Sequence, residues 1–212
     1  MKQITFYLDF ISPFAYLAFE RLPDTLQGLS YSVDYRPVLL AGMLKHHGQL
    51  GPAEIAPKRE WTYRHVLWHG YSLGVPLQMP AGHPFNPLPH LRLALACGSD
   101  GLSNRFFCES VFRHVWRGGE DASDPARLAE LQARLQPARD PADAVVKNEL
   151  KTNTDDAIAA GVFGVPTFGV DGRLFWGLDS LPMLRAYLNG DVWFEQEHWD
   201  TVKNLPGTQR PR

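Results

Sequence analysis

Ser12 is the first residue whose type and position could do chemistry, because it stands between a short apolar run and a helical pattern. The stretch reads FYLDFISPFAYLAF, and Pro13 follows the serine directly. A serine before a proline is typical of a helix start, where the serine caps the helix and the proline takes the first helical position. The same helix end carries partial positive charge and unsatisfied N–H groups, so it also stabilises an anion. The stretch alone leaves two interpretations open, a structural cap and a hydroxyl that stabilises an anion such as a thiolate.

A second candidate is the stretch GVFGVPTF, which brings Pro166 to the start of a predicted strand. Proline cannot donate to a strand ladder, so its presence there is unusual. A cis peptide at Val165–Pro166 would turn the backbone N–H and C=O of Val165 outward, where they could pair with an extended peptide ligand. A trans proline at a strand start is the alternative. The residues themselves leave both open.

A third candidate is WGLDSL, at the predicted junction between the last strand and the last helix. Asp179 or Ser180 could cap that helix, and this interpretation is sufficient by itself. Alternatively, the same helix N-terminus could bind a carboxylate while Asp179 accepts a hydrogen bond from an α-ammonium group.

The remaining polar candidates carry weaker signals. Lys45 and Asn86 lie in predicted loops between secondary-structure elements. There they could contact an anionic substrate, or they could be solvated surface residues. His65 and His69 are four residues apart on a predicted helix, but no metal-binding motif accompanies them. We therefore interpret the two histidines as helix-face residues and predict no metal site.

Predicted strands and helices alternate at both ends of the chain, and these elements must position the candidate residues. Residues 4–10 are predicted as a buried strand, a helix follows from Pro13, and residues 29–40 form a second predicted strand. Such a β-α-β unit normally makes a parallel, right-handed pair. Near the other end, a helix is followed by two short strands around Asp171-Gly172 and by a final helix.

Between these ends, four or five helical patterns follow one another without a strand. Joining the flanks gives the order β-α-β-α-β-β-α, which is that of thioredoxin. The sequence thus predicts an α/β protein with a thioredoxin-like fold and an inserted all-helical domain. Residues 1–45 and 146–212 would form the discontinuous thioredoxin-like domain, and residues 46–145 the insertion.

In a thioredoxin order, the four residues Ser12-Pro13-Phe14-Ala15 stand where a redox dithiol would be, and none of them is a cysteine. Disulfide exchange needs a thiolate, so thiol oxidoreductase activity is excluded at this site. A sulfur that reacts here has to come from a ligand.

Composition restricts the function classes further. The chain has 212 residues, 44% of them hydrophobic and 21% charged, with a net charge of −2. This balance offers no general attraction to nucleic acid or membrane surfaces, and no apolar run reaches the about 18–20 residues of a membrane span. The two cysteines, Cys97 and Cys108, fall on helical patterns typical of core packing and exclude a disulfide framework. With no signal-peptide pattern either, we expect a cytoplasmic protein.

Four stretches taken in order resemble the family of kappa-class glutathione transferases and 2-hydroxychromene-2-carboxylate isomerases. They are FYLDFISPFAYLAFERL, GQLGP, VKNELKTNTDDAIAAGVFGVPTF and FWGLDSL. This family is a branch of the DsbA-like thioredoxin superfamily, and the resemblance covers nearly the whole chain. The Ser-Pro step, the Gly-Val-Pro-Thr turn and the Gly-x-Asp motif are jointly specific for the branch, and less specific for one substrate.

The resemblance implies roles for individual residues, with glutathione as the cofactor. In the family, the serine that matches Ser12 activates the glutathione thiol, and the residue that matches Val165 pairs with the cysteinyl backbone. The residues that match Leu178, Asp179 and Ser180 hold the γ-glutamyl end.

Two positions depart from the family motifs. The asparagine that precedes Gly-Pro in the family is Gln49 here, which keeps a side-chain amide on a longer stem. The arginine that ends the family's Gly-Asn-Asp-Arg or Gly-Ser-Asp-Arg motif is Ser180 here. On the substrate side, the resemblance implies Lys45 and Asn86.

The resemblance implies a glutathione-dependent isomerase that acts on a conjugated aromatic 2-oxo acid by reversible thiolate addition. The family reaction interconverts 2-hydroxychromene-2-carboxylate and trans-o-hydroxybenzylidenepyruvate. Two alternatives stay open: a kappa-class-like transferase or peroxidase that consumes glutathione, and a non-catalytic thioredoxin-like binding protein in which Ser12 is only a cap. The expected partners are a small aromatic carboxylate and a second copy of the chain in a homodimer, with no nucleic acid and no membrane.

Overall fold

A four-stranded sheet and the helices around it make up the part of the chain that the computed structural model describes, residues 1–196, 198–202 and 205–206. The strands are β1 (Lys2–Leu8), β2 (Tyr31–Pro37), β3 (Thr167–Val170) and β4 (Arg173–Trp176). The α-helices are α1 (Pro13–Thr25), α2 (Leu40–His46), α3 (Ala56–Ser72), α4 (Leu88–Cys97), α5 (Arg105–Trp116), α6 (Pro125–Leu135), α7 (Ala144–Ala159), α8 (Leu181–Leu188) and α9 (His198–Thr201). None of these helices is long and apolar enough to cross a membrane.

The sheet has the strand order β2-β1-β3-β4. β1 and β2 are parallel, from Lys2 opposite Tyr31 to Leu8 opposite Pro37, and α1 is the crossover between them. β3 lies antiparallel on the other side of β1, and β4 returns antiparallel to β3. The predicted α/β class and thioredoxin-like order are confirmed.

One continuous core joins the sheet to the helices between β2 and β3. Phe6 of β1 packs against Phe168 of β3 with ring centroids 4.6 Å apart. Phe10, just beyond the end of β1, packs against Phe112 of α5 at 4.8 Å. The loop between β1 and α1 is therefore held between the sheet and the helical block, which is where Ser12 lies.

The structure corrects two element boundaries. The first strand begins and ends two residues before the predicted span of 4–10, because Asp9 and Phe10 belong to the turn that leads into α1. The second strand ends at Pro37, short of the predicted residue 40, and α2 follows without having been predicted. An apolar run that follows a strand pattern predicts a longer strand. Here, however, the N–H of Leu40 bonds to the carboxylate of Asp9 and starts a helix.

The predicted limits of the inserted domain fall at helix ends. Residue 46 is the last residue of α2, and residue 145 lies in the first turn of α7. In the part of the chain between them, all of it described, α3 to α6 follow one another without a strand. The division into two domains stays a prediction, and residues 197, 203, 204 and 207–212 of its last segment lie outside the described residues.

Candidate active site

Ser12 is the N-cap of α1. Its backbone is extended, with φ −89° and ψ 113°, and its Oγ accepts a hydrogen bond from the N–H of Ala15 at 3.2 Å. Pro13 takes the first helical position, where its missing N–H costs nothing. The predicted cap is therefore present. No acidic side chain lies in the first turn of α1, so the helix itself does not neutralise its positive end.

The hydroxyl of Ser12 faces the peptide bond that precedes β3. It donates to the carbonyl oxygen of Val165 across 3.4 Å, which is long for an O–H···O bond. The Val165–Pro166 peptide is cis, so the structure decides between the two alternatives. Val165 is 8% exposed, and its N–H has no hydrogen-bond partner among the described residues. This N–H is therefore available to a hydrogen-bond partner from outside the chain.

The turn between β4 and α8 lies against the same peptide. The N–H of Gly177 donates to the Pro166 carbonyl at 2.9 Å. Gly177 has a φ of +98°, which L side chains rarely adopt, and a Cβ there would lie 2.3 Å from Asp179 Oδ1. The hydroxyl of Ser180 donates to the Gly177 carbonyl at 2.8 Å.

The interpretation of Asp179 or Ser180 as a side-chain cap of α8 is wrong. Ser180 occupies the N-cap position, but α8 has no side-chain cap hydrogen bond. Asp179 is exposed and forms no ion pair with the described residues. Leu178, between Gly177 and Asp179, packs against the core. The turn therefore presents an unpaired carboxylate, which is suited to a cationic group of a ligand.

Asp9 is fully buried directly after β1. Its carboxylate accepts the N–H of Ile11 at 3.2 Å and that of Leu40 at 2.9 Å, and its backbone carbonyl accepts the N–H of Ser12 at 3.1 Å. Burial raises the pKa of Asp9 to about 7, although the backbone hydrogen bonds from Leu40 and Ile11 lower it. One carboxyl group thus joins the loop of Ser12 to the first turn of α2, the helix that carries Lys45.

The helical block also holds the loop between β1 and α1. The imidazole Nε2 of His83 lies 2.8 Å from the carbonyl oxygen of Ile11, and its Nδ1 lies 2.7 Å from the hydroxyl of Tyr63. The indole N–H of Trp116 donates to the Phe10 carbonyl at 2.9 Å. Burial lowers the pKa of His83. Because the carbonyl oxygen of Ile11 can only accept, His83 donates to it from Nε2.

Sequence reasoning did not identify Asp9, His83 or Trp116 as residues that position the site. Only Asp9 carried a signal, an ionisable residue directly after a buried strand and close before Ser12. The partner of the His83 Nε2 lies 72 positions away along the chain, a separation that no local pattern reveals.

Lys45 was predicted to lie in a loop, but it lies in the last turn of α2, and Gln49 lies just beyond that helix. Both are exposed, and neither side chain forms a hydrogen bond or ion pair with the described residues. Asn86 is exposed as well, and its Oδ1 accepts the N–H of Leu88 at 3.1 Å where α4 begins. All three therefore keep polar groups that face solvent.

The structure brings together part of the predicted site. Hydrogen bonds join Ser12 to Val165, and the adjoining Pro166 to the turn of residues 177–180. No hydrogen bond or ion pair joins Gln49 or Asn86 to that set, and their roles stay predictions.

The chain's own cysteines are unsuited to sulfur chemistry. Burial raises the pKa of Cys97 to about 11 and that of Cys108 to about 12, so both remain protonated thiols near neutral pH. Within the described ranges, no group of three or more His, Cys, Asp or Glu side chains is arranged to hold a metal ion.

A family model described as a DsbA-like thioredoxin domain matches residues 3–189. The chain belongs to the DsbA-like thioredoxin family. This DsbA-like protein is 31% identical to the 2-hydroxychromene-2-carboxylate isomerase of Sphingobium xenophagum, over 88% of its own length and 98% of the relative's. It is 26% identical to glutathione s-transferase kappa 2 of Caenorhabditis elegans, over 88% and 92% of the two chains. The predicted family, of these isomerases and kappa-class transferases, is confirmed.

Solved structures agree on the fold. A 2-hydroxychromene-2-carboxylate isomerase superposes on this DsbA-like protein with a TM-score of 0.77 at 24% identity, over 94% of this chain and 98% of that one. The cytosolic disulfide reductase DsbM from Pseudomonas aeruginosa superposes with a TM-score of 0.57 at 22% identity, over 91% and 99% of the two chains. At these identities the likeness shows a shared architecture.

Proposed function

We propose that this protein is a glutathione-dependent isomerase of a conjugated aromatic 2-oxo acid, similar to 2-hydroxychromene-2-carboxylate isomerase. The observation that carries the proposal is the position of the Ser12 hydroxyl, at the N-terminus of α1 and against the Val165 carbonyl. Similarity to the isomerase of Sphingobium xenophagum, over 98% of that protein's length, supports the same reaction.

Glutathione fits the groups that the site leaves unpaired. The free N–H of Val165 and its weakly engaged carbonyl match the backbone of a cysteinyl residue. The exposed carboxylate of Asp179 matches an α-ammonium group. The residues proposed to bind glutathione are Ser12, Gln49, Val165, Leu178, Asp179 and Ser180.

Bound glutathione would supply the sulfur that adds to the conjugated double bond and leaves again after rotation about the resulting single bond. The part of Ser12 follows from its hydrogen bonds. Its oxygen already accepts the N–H of Ala15, so the proton of its hydroxyl is the group that it can offer. The Ser12 Oγ lies 3.4 Å from the Val165 carbonyl oxygen, a long hydrogen bond, so little is lost when the hydroxyl turns toward a sulfur anion. The N-terminus of α1 stabilises the same negative charge.

Lys45 and Asn86 are proposed to face the substrate. The ammonium group of Lys45 is exposed and has no ion-pair partner among the described residues, so it suits the carboxylate of a 2-oxo acid. Through the bond between Asp9 and Leu40, the helix of Lys45 is connected to the loop that carries Ser12.

The experiment follows the conversion of 2-hydroxychromene-2-carboxylate with and without glutathione, while free thiol is titrated. A glutathione-dependent isomerase forms product only when glutathione is present, and it leaves the concentration of free thiol constant. Stoichiometric loss of thiol would instead support a transferase or peroxidase, the alternative favoured by similarity to the kappa-class relative. No binding of glutathione in calorimetric titration at millimolar concentration would support the non-catalytic binding protein.

The family resemblance also supports a homodimer, and the cysteine content supports a cytoplasmic location. Multi-angle light scattering tests the dimer, since a mass of one chain would contradict it.

A further inference from the structure

α3 brings a pair of histidines next to the N-terminal turn of α1. The ring centroids of His65 and His69 lie 4.2 Å apart. The ring of Phe14, two residues after Ser12, lies 6.0 Å from His65 and 6.4 Å from His69, at a steep angle to both. Both histidines are half-buried, and neither imidazole has a hydrogen-bond partner among the described residues. Their ring nitrogens are therefore available to a ligand.

Asp179 acts on His69 from the turn before α8, and both this turn and α3 contact α1. Burial lowers the pKa of His69 most, and the nearby charge of His65 lowers it further, whereas the charge of Asp179 raises it. The titratable groups that influence His69 are thus His65 on its own helix and Asp179 on the facing turn. The carboxylate of Asp179 is thus close enough to act on His69, whose ring lies next to that of His65.

The two kinds of group match the two charges of an α-amino acid, whose ammonium and carboxylate stand on one carbon. We propose that His65 and His69 bind the α-carboxylate of the γ-glutamyl residue of glutathione, while Asp179 binds the α-ammonium of the same residue. This inference rests on the proposed function and adds two binding residues that it did not contain.

Histidine is suited to this position for an electrostatic reason. In the free protein, burial and the charge of His65 lower the pKa of His69 and so disfavour its protonated form. A bound carboxylate favours the protonated form of His69, so binding is accompanied by proton uptake. The residue after Asp179 offers no cation, since it is Ser180, whose hydroxyl bonds to the Gly177 carbonyl. Affinity for glutathione should therefore fall as the pH rises through the range in which imidazoles titrate.

The test is calorimetric titration of the full chain with S-methylglutathione, which has no ionisable thiol. From about pH 6 to about pH 8, the affinity of the wild-type protein should fall roughly tenfold, as expected for losing a hydrogen bond to a charged group. The double variant His65→Phe/His69→Phe keeps rings next to Phe14 but has no ring nitrogens. It should bind roughly tenfold more weakly at about pH 6 and lose the pH dependence.

Matched ligands separate the two charges. S-methylated γ-aminobutyryl-cysteinylglycine has the ammonium but no α-carboxylate, so the wild type and the double histidine variant should bind it equally. S-methylated glutaryl-cysteinylglycine has the carboxylate but no ammonium, so Asp179→Asn should not weaken its binding. Tyr71→Phe, at an 87% exposed position of α3, is the control variant and should bind S-methylglutathione as the wild type does.

Equal affinity of the wild type and the double histidine variant for S-methylglutathione would overturn the inference and leave the proposed function intact. If the wild type bound neither glutathione nor S-methylglutathione, both would be overturned. Should circular dichroism show that the double variant does not fold, the wild type alone decides. Its affinity must depend more steeply on pH for S-methylglutathione than for the analogue without the α-carboxylate, and equal dependence contradicts the inference.

Discussion

The two sides of the candidate active site are held in different ways. On the side of the capping serine, buried and part-buried hydrogen bonds fix the loop between β1 and α1: Asp9 accepts from Ile11, and His83 and Trp116 donate to its carbonyl groups. On the side of α2, Lys45 and Gln49 are exposed, and their side chains have no polar partner among the described residues. The fold therefore fixes the position of the Ser12 hydroxyl, whereas it leaves the side chains of Lys45 and Gln49 exposed to solvent.

The largest effect on activity is expected from a substitution on the side of the capping serine. Ser12→Ala should lower kcat of the glutathione-dependent isomerisation roughly 10²- to 10³-fold, because the donor that stabilises the sulfur anion is lost. It should also lower the free energy of unfolding by about 1 kcal/mol, since a helix cap is lost. Steady-state kinetics and urea denaturation measure the two effects.

A second helix cap provides the matched control. The side chain of Asp124 accepts the N–H of Arg127 at 2.9 Å at the start of α6. Asp124→Ala should cost about the same 1 kcal/mol of stability and leave the isomerase activity unchanged. If Ser12→Ala also kept its activity, Ser12 would be a cap and nothing more.

Asp9→Asn should change how the free energy of unfolding of the protein depends on pH. The pKa of Asp9 is raised from its usual 3.8 to about 7 in the folded protein. The unfolded chain therefore releases this proton at lower pH than the folded one, and the contribution of Asp9 to stability is lost as the pH rises toward 7. Asparagine has no such proton. The free energy of unfolding of the variant minus that of the wild type should therefore rise by on the order of 2 kcal/mol between about pH 5 and about pH 8.

Urea denaturation of both proteins at the two pH values measures that gain. Titrations of other groups are common to both chains and cancel in the difference. A difference between the two proteins that stayed constant with pH would mean that Asp9 does not titrate in this range.

The smallest effects are expected on the α2 side. Lys45→Ala and Gln49→Ala should each keep the free energy of unfolding within about 0.5 kcal/mol of the wild type, because exposed side chains without partners are removed. Gln49→Ala should raise the Kd for glutathione about threefold, and Lys45→Ala should raise the KM for the substrate by about as much. Denaturation, calorimetry and kinetics test these values. A loss of stability in either variant would show that this side is as firmly held as the other.

The elements with strong local signals could be predicted from the sequence. Ser12 and Pro13 start α1 as the sequence predicts, and the same cap and proline pattern at Asp124 and Pro125 starts α6. α2 could not be predicted, because the apolar residues that follow β2 continue a strand pattern. Its start depends on the buried carboxylate of Asp9, 31 positions earlier in the chain.

The sequence by itself determined the order of the elements, the cap at the head of α1, the absence of a cysteine beside it and the family of the chain. These features follow from residue types and from neighbours close along the chain. Only the tertiary structure decided that Val165 meets Ser12 across 153 positions, and that His83 holds Ile11 across 72. Such contacts depend on how the core packs the sheet against the helices, and no local pattern of residues encodes that packing.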